Sequence, residues 1–237
     1  MTIFSKERVG NRRIIRIFGA KILSYTRGGE SDFALRTKYF LPMHASHNET
    51  NLFVKHIINS KSYLEFGCGG STFLLTYLSN ANILSIDNDK NFIDFISQNE
   101  TLAQVLSSGK SRLTFFHIDT GEIKGWGHPK DDSKKSQYPQ YSQKIFEVLS
   151  QDEIDSIDTY FVDGRFRVAC VMSILLHCNA NAKIIIHDFW DRAYYHIVLD
   201  FLEVVDRADT LAVFTIKPNI DKKRVESLLR KYEFVLD

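Results

Sequence analysis

The sequence predicts an α/β fold in which a mostly parallel sheet is covered by helices on both faces. Two observations carry that expectation. From about residue 50 onward, short apolar runs alternate with stretches of helical periodicity, the pattern of buried strands linked by crossover helices. The first of these runs, Tyr63-Leu64-Glu65-Phe66, passes into the turn Gly67-Cys68-Gly69-Gly70, and a helical pattern opens directly behind it. With 237 residues, 44% hydrophobic and 25% charged, the chain can fill one sizeable core, and disordered and fibrous classes are excluded.

The first 27 residues stand apart. Lys6, Arg8, Arg12, Arg13, Arg16, Lys21 and Arg27 face a single acid, Glu7, and are interleaved with Ile14, Ile15, Ile17, Phe18, Ile22 and Leu23. Such a segment suits either an anionic membrane surface or docking on the domain as a helical or strand-like appendage. The apolar positions follow no single helical stripe, which favours docking. Gly28-Gly29 ends the segment. Residues 1–44 are therefore expected as a basic N-terminal appendage to a domain spanning 45–237.

Within the domain the pattern predicts a helix over 52–58, a strand over 62–66, a helix over 71–78, a strand over 82–86 and a helix over 90–97. A strand over 112–118 follows, then a polar stretch, 121–140, longer than most connections and read as a substrate loop or a lid. Next come a helix over 141–149, a strand over 159–162, a helix over 167–178 and a strand over 183–186. A helix over 193–205, a strand over 211–216 and a helix over 221–232 complete the chain.

Composition narrows the partners. A formal net charge of +1 gives no global reason to expect nucleic acid. Cys68, Cys170 and Cys178 have neither metal-type nor disulfide-type spacing, which fits a reducing, cytoplasmic location. No run approaches the ~18 apolar residues of a membrane span, and Arg12, Arg13 and Arg16 interrupt any signal-like core.

Ligands of open parallel sheets bind beyond the C-terminal ends of the strands, so the polar residues there carry the chemistry. Glu65 precedes the glycine loop, where Gly67, Gly69 and Gly70 allow close backbone approach and Ser71 opens a helix N-terminus. A carboxylate at this place repels a pyrophosphate but holds a ligand with hydroxyls and an ammonium group, which describes S-adenosylmethionine better than a dinucleotide. The dinucleotide pattern Gly-x-Gly-x-x-Gly would also need glycine at Thr72. Asp87, twenty residues beyond Gly67, stands where an acid reaches a ribose diol. The later strands end at Asp119, Asp163 and His187-Asp188, so all five end in an acid.

These residues resemble a known superfamily. The run Leu64-Glu65-Phe66-Gly67-Cys68-Gly69-Gly70 is similar to motif I of the class I S-adenosylmethionine-dependent methyltransferases, and Leu84-Ser85-Ile86-Asp87 to their second motif. The spans 160–167 and 184–189 resemble a less studied bacterial branch, and the likeness covers roughly 45–217. The resemblance implies a Rossmann-like, seven-stranded-type sheet. It also implies that Gly67, Gly69 and Gly70 meet the methionine part of the cofactor. Glu65 would order that loop or meet the ammonium group, Asp87 or Asp89 would accept the ribose hydroxyls, and Asp119 would meet the adenine amino group. Strand four ends in Asp163-Gly164-Arg165-Phe166-Arg167, not in the Asn/Asp-Pro-Pro-Tyr/Phe pattern of amino-methylating enzymes, which favours oxygen as acceptor.

Methyl transfer to a hydroxyl needs alignment, exclusion of water and removal of a proton. His187, with Asp163 and Asp188 beside it, is the expected catalytic group. Asp163 and Asp188 are also candidate Mg²⁺ ligands, as in metal-assisted O-methyltransferases of small diols or phenols. Arg165 is a candidate anion holder, and Trp126, His128 and Tyr195 are candidate lining residues of the acceptor site. Residues 13–25 resemble short basic segments attached to bacterial glycosyltransferases of surface-polysaccharide pathways, which makes a sugar or glycan intermediate the first acceptor expected. A non-catalytic scaffold that binds the cofactor or a glycosyltransferase partner is the alternative outside enzyme chemistry.

Overall fold

The computed structural model describes residues 4–9, 12–26 and 38–236. The expected boundary at Gly28-Gly29 lies outside them. The basic segment forms an antiparallel meander of three strands, β1 (Phe4–Val9), β2 (Arg12–Ile17) and β3 (Ala20–Thr26). Strand alternation sends Ile15 and Ile17 into the core, each only 3% exposed, where they join Phe40, Leu41, Met43 and Phe53. Of the two forms expected for a docked appendage, the strand-like one is observed.

Helix α1 (His47–Ile57) starts earlier than its apolar stripe suggested, because Ser46 and Glu49 form a reciprocal capping box. The sheet then builds through β4 (Ser62–Phe66), α2 (Gly70–Leu78), β5 (Asn82–Asp87), α3 (Lys90–Ser97), α4 (Glu100–Ser107) and β6 (Arg112–His117). Helix α4 was not expected from periodicity; Asn99 caps it by accepting from Leu102 N. The polar stretch folds into a small hairpin, β7 (Ile123–Lys124) and β8 (His128–Pro129), with Trp126 at its tip. Beyond it lie α5 (Tyr138–Val148), α6 (Gln151–Ser156), β9 (Thr159–Val162), α7 (Arg167–His177) and β10 (Lys183–Ile186).

The helix expected over 193–205 forms only over its first part, as a 3-10 helix, and gives way to a strand at Leu202. The 3-10 helix, Ala193–Asp200, runs into strand β11 (Leu202–Ala208), which pairs antiparallel with β12 (Leu211–Ile216). Val204 and Val205 are β-branched, and a two-residue turn at Asp209-Thr210 makes the hairpin the better use of their surface. Helix α8 (Lys222–Tyr232) closes the fold.

The seven strands lie in the order β11-β12-β10-β9-β4-β5-β6, parallel from β10 to β6 and antiparallel at β12. Each residue of β4 and β9 is buried. Successive residues feed opposite cores: Tyr63, Phe161 and Ile185 pack under α1 and α2, whereas Leu64, Tyr160, Val162, Ile184 and Ile186 pack under α5 and α7. Among the described residues no helix is long and apolar enough to cross a membrane.

Because Ile17 fills this shared core, Ile17→Ala is expected to cost about 2–5 kcal/mol in denaturant unfolding. A loss within about 0.5 kcal/mol would show that the meander contributes nothing to the domain.

Candidate functional site

The parallel strands bring the expected residues to one edge. At the end of β4, Gly67 has φ +99°, and a Cβ there would lie 2.6 Å from the Gly164 nitrogen. At Gly70 a Cβ would lie 2.2 Å from the Met43 nitrogen, so the segment 42–43 lies on the loop. Gly69 differs: its Cβ would meet only the edge of the Phe92 ring at 3.9 Å, which leaves that side open for a ligand.

Glu65 has no exposed surface and accepts from four hydroxyls: Ser71 at 2.9 Å, Ser85 at 2.7 Å, Tyr63 at 3.2 Å and Thr72. Burial raises its carboxyl to about 7, against the opposing effect of those donors. Of the two roles expected for Glu65, ordering the loop is the one its contacts serve, and the Ser71 hydroxyl serves the same network. Asp87 is buried and accepts from the Cys68 nitrogen at 2.9 Å and the Asp89 nitrogen at 2.8 Å. Burial outweighs these bonds and raises its carboxyl above the usual range. The Asp89 carboxylate instead caps α3 by accepting from Phe92 N at 3.0 Å.

Asp119 is exposed, accepts from Gly121 N and pairs with Lys134; its hydrogen bond to Lys134 is the main reason its carboxyl is held low. Besides Asp87, the buried polar side chains at the ends of β5 and β6 are Asn88 and Thr120, which no sequence motif singles out. Asn88 Nδ2 donates to Thr120 Oγ1 at 2.7 Å and to the Gly127 carbonyl at 2.9 Å. The hairpin tip is thus tied to β5. His128 Nε2 and Arg165 Nη1 lie 2.9 Å apart, and Trp126, 74% exposed, meets the His44 ring at 5.0 Å.

The ends of β9 and β10 form a charged knot. His187 is 6% exposed, with Nδ1 3.0 Å from Asp163, and Asp188 and Glu49 each 3.6 Å from a ring nitrogen. Burial alone would lower its pKa, but the hydrogen bond and charge of Asp163, with the charges of Asp188 and Glu49, raise it to about 9. At neutral pH the ring therefore keeps its proton, which does not suit the expected general base. Asp163 responds in kind: burial would raise its carboxyl, yet His187, Arg167 and Arg165 bring it below the usual range.

Arg167, 3% exposed, lies 3.3 Å from Asp163 and 3.2 Å from Asp188, and donates to the His187 carbonyl at 2.6 Å. Arg192 pairs with Asp188 at 2.9 Å. Three acids thus face three cations. Glu49, absent from the sequence-based set, joins the knot to the start of α1 and to the β11–β12 turn by accepting from Ser46 N at 2.7 Å and Thr210 N at 2.9 Å. Its Ser46-x-x-Glu49 capping signature was the readable signal. Tyr195, expected in the acceptor pocket, is 1% exposed; its hydroxyl accepts from Arg192 and its ring lies under Arg167. Packing, not pocket lining, explains it.

Ligand atoms of Asp163, His187 and Asp188 lie within 4.8 Å of one another, the spacing of a metal site. The donor set does not fit Mg²⁺. The Arg167 guanidinium already bridges the two carboxylates, and the third ligand is an imidazole committed to Asp163, not a hard oxygen.

The sheet order, with one antiparallel strand inserted next to β10 and a glycine loop after β4, is that of the class I methyltransferase fold. A methyltransferase-like protein from Silicibacter pomeroyi is similar at TM-score 0.70 and 22% identity, over 84% of this chain and 99% of that one. A candidate O-methyltransferase from Klebsiella pneumoniae is similar at TM-score 0.50 and 15% identity, over 75% and 84% of the two chains. No family model and no curated protein matches the chain in sequence.

The raised pKa of His187 has a signed consequence. Its contribution to stability is complete below about pH 6.5 and is lost as pH rises through about 9. Proton NMR of the His187 ring is expected to titrate near 9, and Asp163→Asn is expected to lower that midpoint. A ring neutral at pH 7 in the wild type would contradict the charge balance described above.

Proposed function

We propose that the protein is an S-adenosylmethionine-dependent methyltransferase acting on an oxygen of a small acceptor, with a sugar or glycan intermediate as the first candidate. The observation that carries this reading is Asp87. Its carboxylate is fastened to the glycine loop and buried beside the open face of Gly69, where a ribose diol would find an acceptor. The bound cofactor would supply an electrophilic methyl group on a sulfonium. Gly67, Gly69 and Gly70 would bring backbone against its methionine part, while Glu65 keeps the loop in shape through Ser71, Thr72 and Ser85. Asn88 and Thr120, with Asp119 nearby, would border the adenine.

On the acceptor side, Asp163 keeps 27% of its side chain exposed and is oriented by His187 and Arg167. It would accept the hydroxyl hydrogen bond of the acceptor and take its proton as the oxygen–carbon bond forms. His187 then serves as a fixed cation that positions Asp163. The hairpin carrying Trp126 and His128 would exclude water, with Arg165 beneath it. A cytoplasmic location suits three free cysteines. The scaffold reading draws on one observation, that the knot's acids and cations already satisfy each other.

Calorimetry with S-adenosylhomocysteine tests the donor: binding is expected in the wild type and at least about tenfold weaker in Asp87→Ala. No binding would end the proposal. Turnover on a panel of sugar acceptors is expected to survive EDTA; loss in EDTA with recovery in Mg²⁺ would restore the metal-assisted reading. Cofactor binding without turnover on any acceptor would favour the scaffold.

A further inference from the structure

The meander carries a charge pattern opposite in sign to that of the rest of the chain. Residues 4–26 hold Lys6, Arg8, Arg12, Arg13, Arg16 and Lys21 against Glu7, a net of +5, while the whole chain is +1; the remainder is therefore −4. The strand register sets Arg8 opposite Arg13 and Arg16 opposite Lys21. Like charges directly opposite weaken a ladder, and the Arg16–Lys21 pair is relieved by Glu7, 3.4 Å from Arg16.

The turn between β2 and β3 adds a second, independent feature. Phe18 (φ 49°) and Gly19 (φ 79°) are both left-handed, as a tight two-residue hairpin loop requires. Gly19 makes this easy, but Phe18 carries a Cβ and a large ring in a conformation that L side chains rarely adopt. The result is an aromatic ring 41% exposed at the hairpin tip, flanked in sequence by Arg16 and Lys21.

We propose that this meander is a docking face for an anionic lipid surface, with Phe18 entering the boundary between headgroups and acyl chains and the flanking cations meeting lipid phosphates. An apolar tip flanked by cations is the composition of an interfacial anchor. Nucleic acid fits less well. The meander offers no helix for a groove and no row of aromatics for base stacking. The acidic remainder of the chain is repelled by the same surface, so the encounter is oriented with the meander down. Through Ile15 and Ile17 the meander packs on Phe40, Leu41 and Met43, and Met43 lies on Gly70. The lipid-facing element and the wall of the glycine loop are thus one packed unit. This inference does not depend on the methyl-transfer reading.

Co-sedimentation of the full chain with vesicles tests it. Vesicles of phosphatidylcholine with about one-third phosphatidylglycerol are expected to carry the protein down at low salt and to release it at about 0.5 M NaCl. Pure phosphatidylcholine vesicles are expected to leave it in solution. Each exposed cation removed, in Arg12→Gln and Lys21→Gln, is expected to weaken binding about fivefold. Phe18→Ser is expected to weaken it while leaving the salt response unchanged. All three positions are exposed, and unchanged melting curves would separate lost binding from lost fold. Equal partition to both vesicle types, no binding to either, or stronger capture by a DNA duplex at the same ionic strength would overturn the proposal.

Discussion

The contact between Gly67 and Gly164 sets the rest of the site. The loops that end β4 and β9 meet backbone to backbone, with the Tyr141 hydroxyl where a Cβ of Gly164 would stand, 2.1 Å away. A side chain at either glycine would push the glycine loop away from the strand that carries Asp163. The glycine loop and the charged knot therefore share a wall, and the distance between them is fixed by packing. Glu65 secures the first of these loops from behind. Its four hydroxyl partners come from β4, α2 and β5, so the loop cannot shift without leaving a buried carboxyl unsatisfied.

The knot works by a related economy. Glu49, Asp163 and Asp188 are matched by Arg167, Arg192 and His187, and truncating one of the buried members, Glu49, Arg167 or His187, costs about 3–5 kcal/mol because a partner is left uncompensated. That balance explains why His187 holds its proton and why the metal-like spacing of Asp163, His187 and Asp188 belongs to an ion-pair network. It also leaves one carboxylate, Asp163, held rigidly yet partly open. On the proposed function, a rigid carboxylate facing an acceptor hydroxyl is worth more to an in-line displacement than a mobile one.

How much of this the sequence shows depends on how local the cause is. The parallel strands were legible because buried four- and five-residue runs such as 62–66 and 159–162 carry their own signal. Strand β11 was not, because Tyr195, Ile197, Val198, Leu199, Leu202 and Val205 satisfy a helical stripe as readily as a strand, and only pairing with β12 decides. Within the site, the glycine loop and Asp87 were readable as a local motif. The misjudged residues owe their state to partners far along the chain. The ring of His187 is held charged chiefly by Asp163, with Asp188 and, from α1, Glu49 adding to it, and Tyr195 packs under Arg167 with its hydroxyl on Arg192. Asp119 faces outward and pairs with Lys134, beyond the hairpin.

A crystal structure with S-adenosylhomocysteine bound tests the central claim most directly, namely that the cradle built on Gly67 and Asp87 receives the methyl donor. The account expects the ribose hydroxyls at hydrogen-bond distance from the Asp87 carboxylate, the amino-acid part along Gly67–Gly70 and the sulfur facing Asp163. Ribose held by Asp89 instead, a reversed ligand, or a ligand bound elsewhere on the molecule would contradict it.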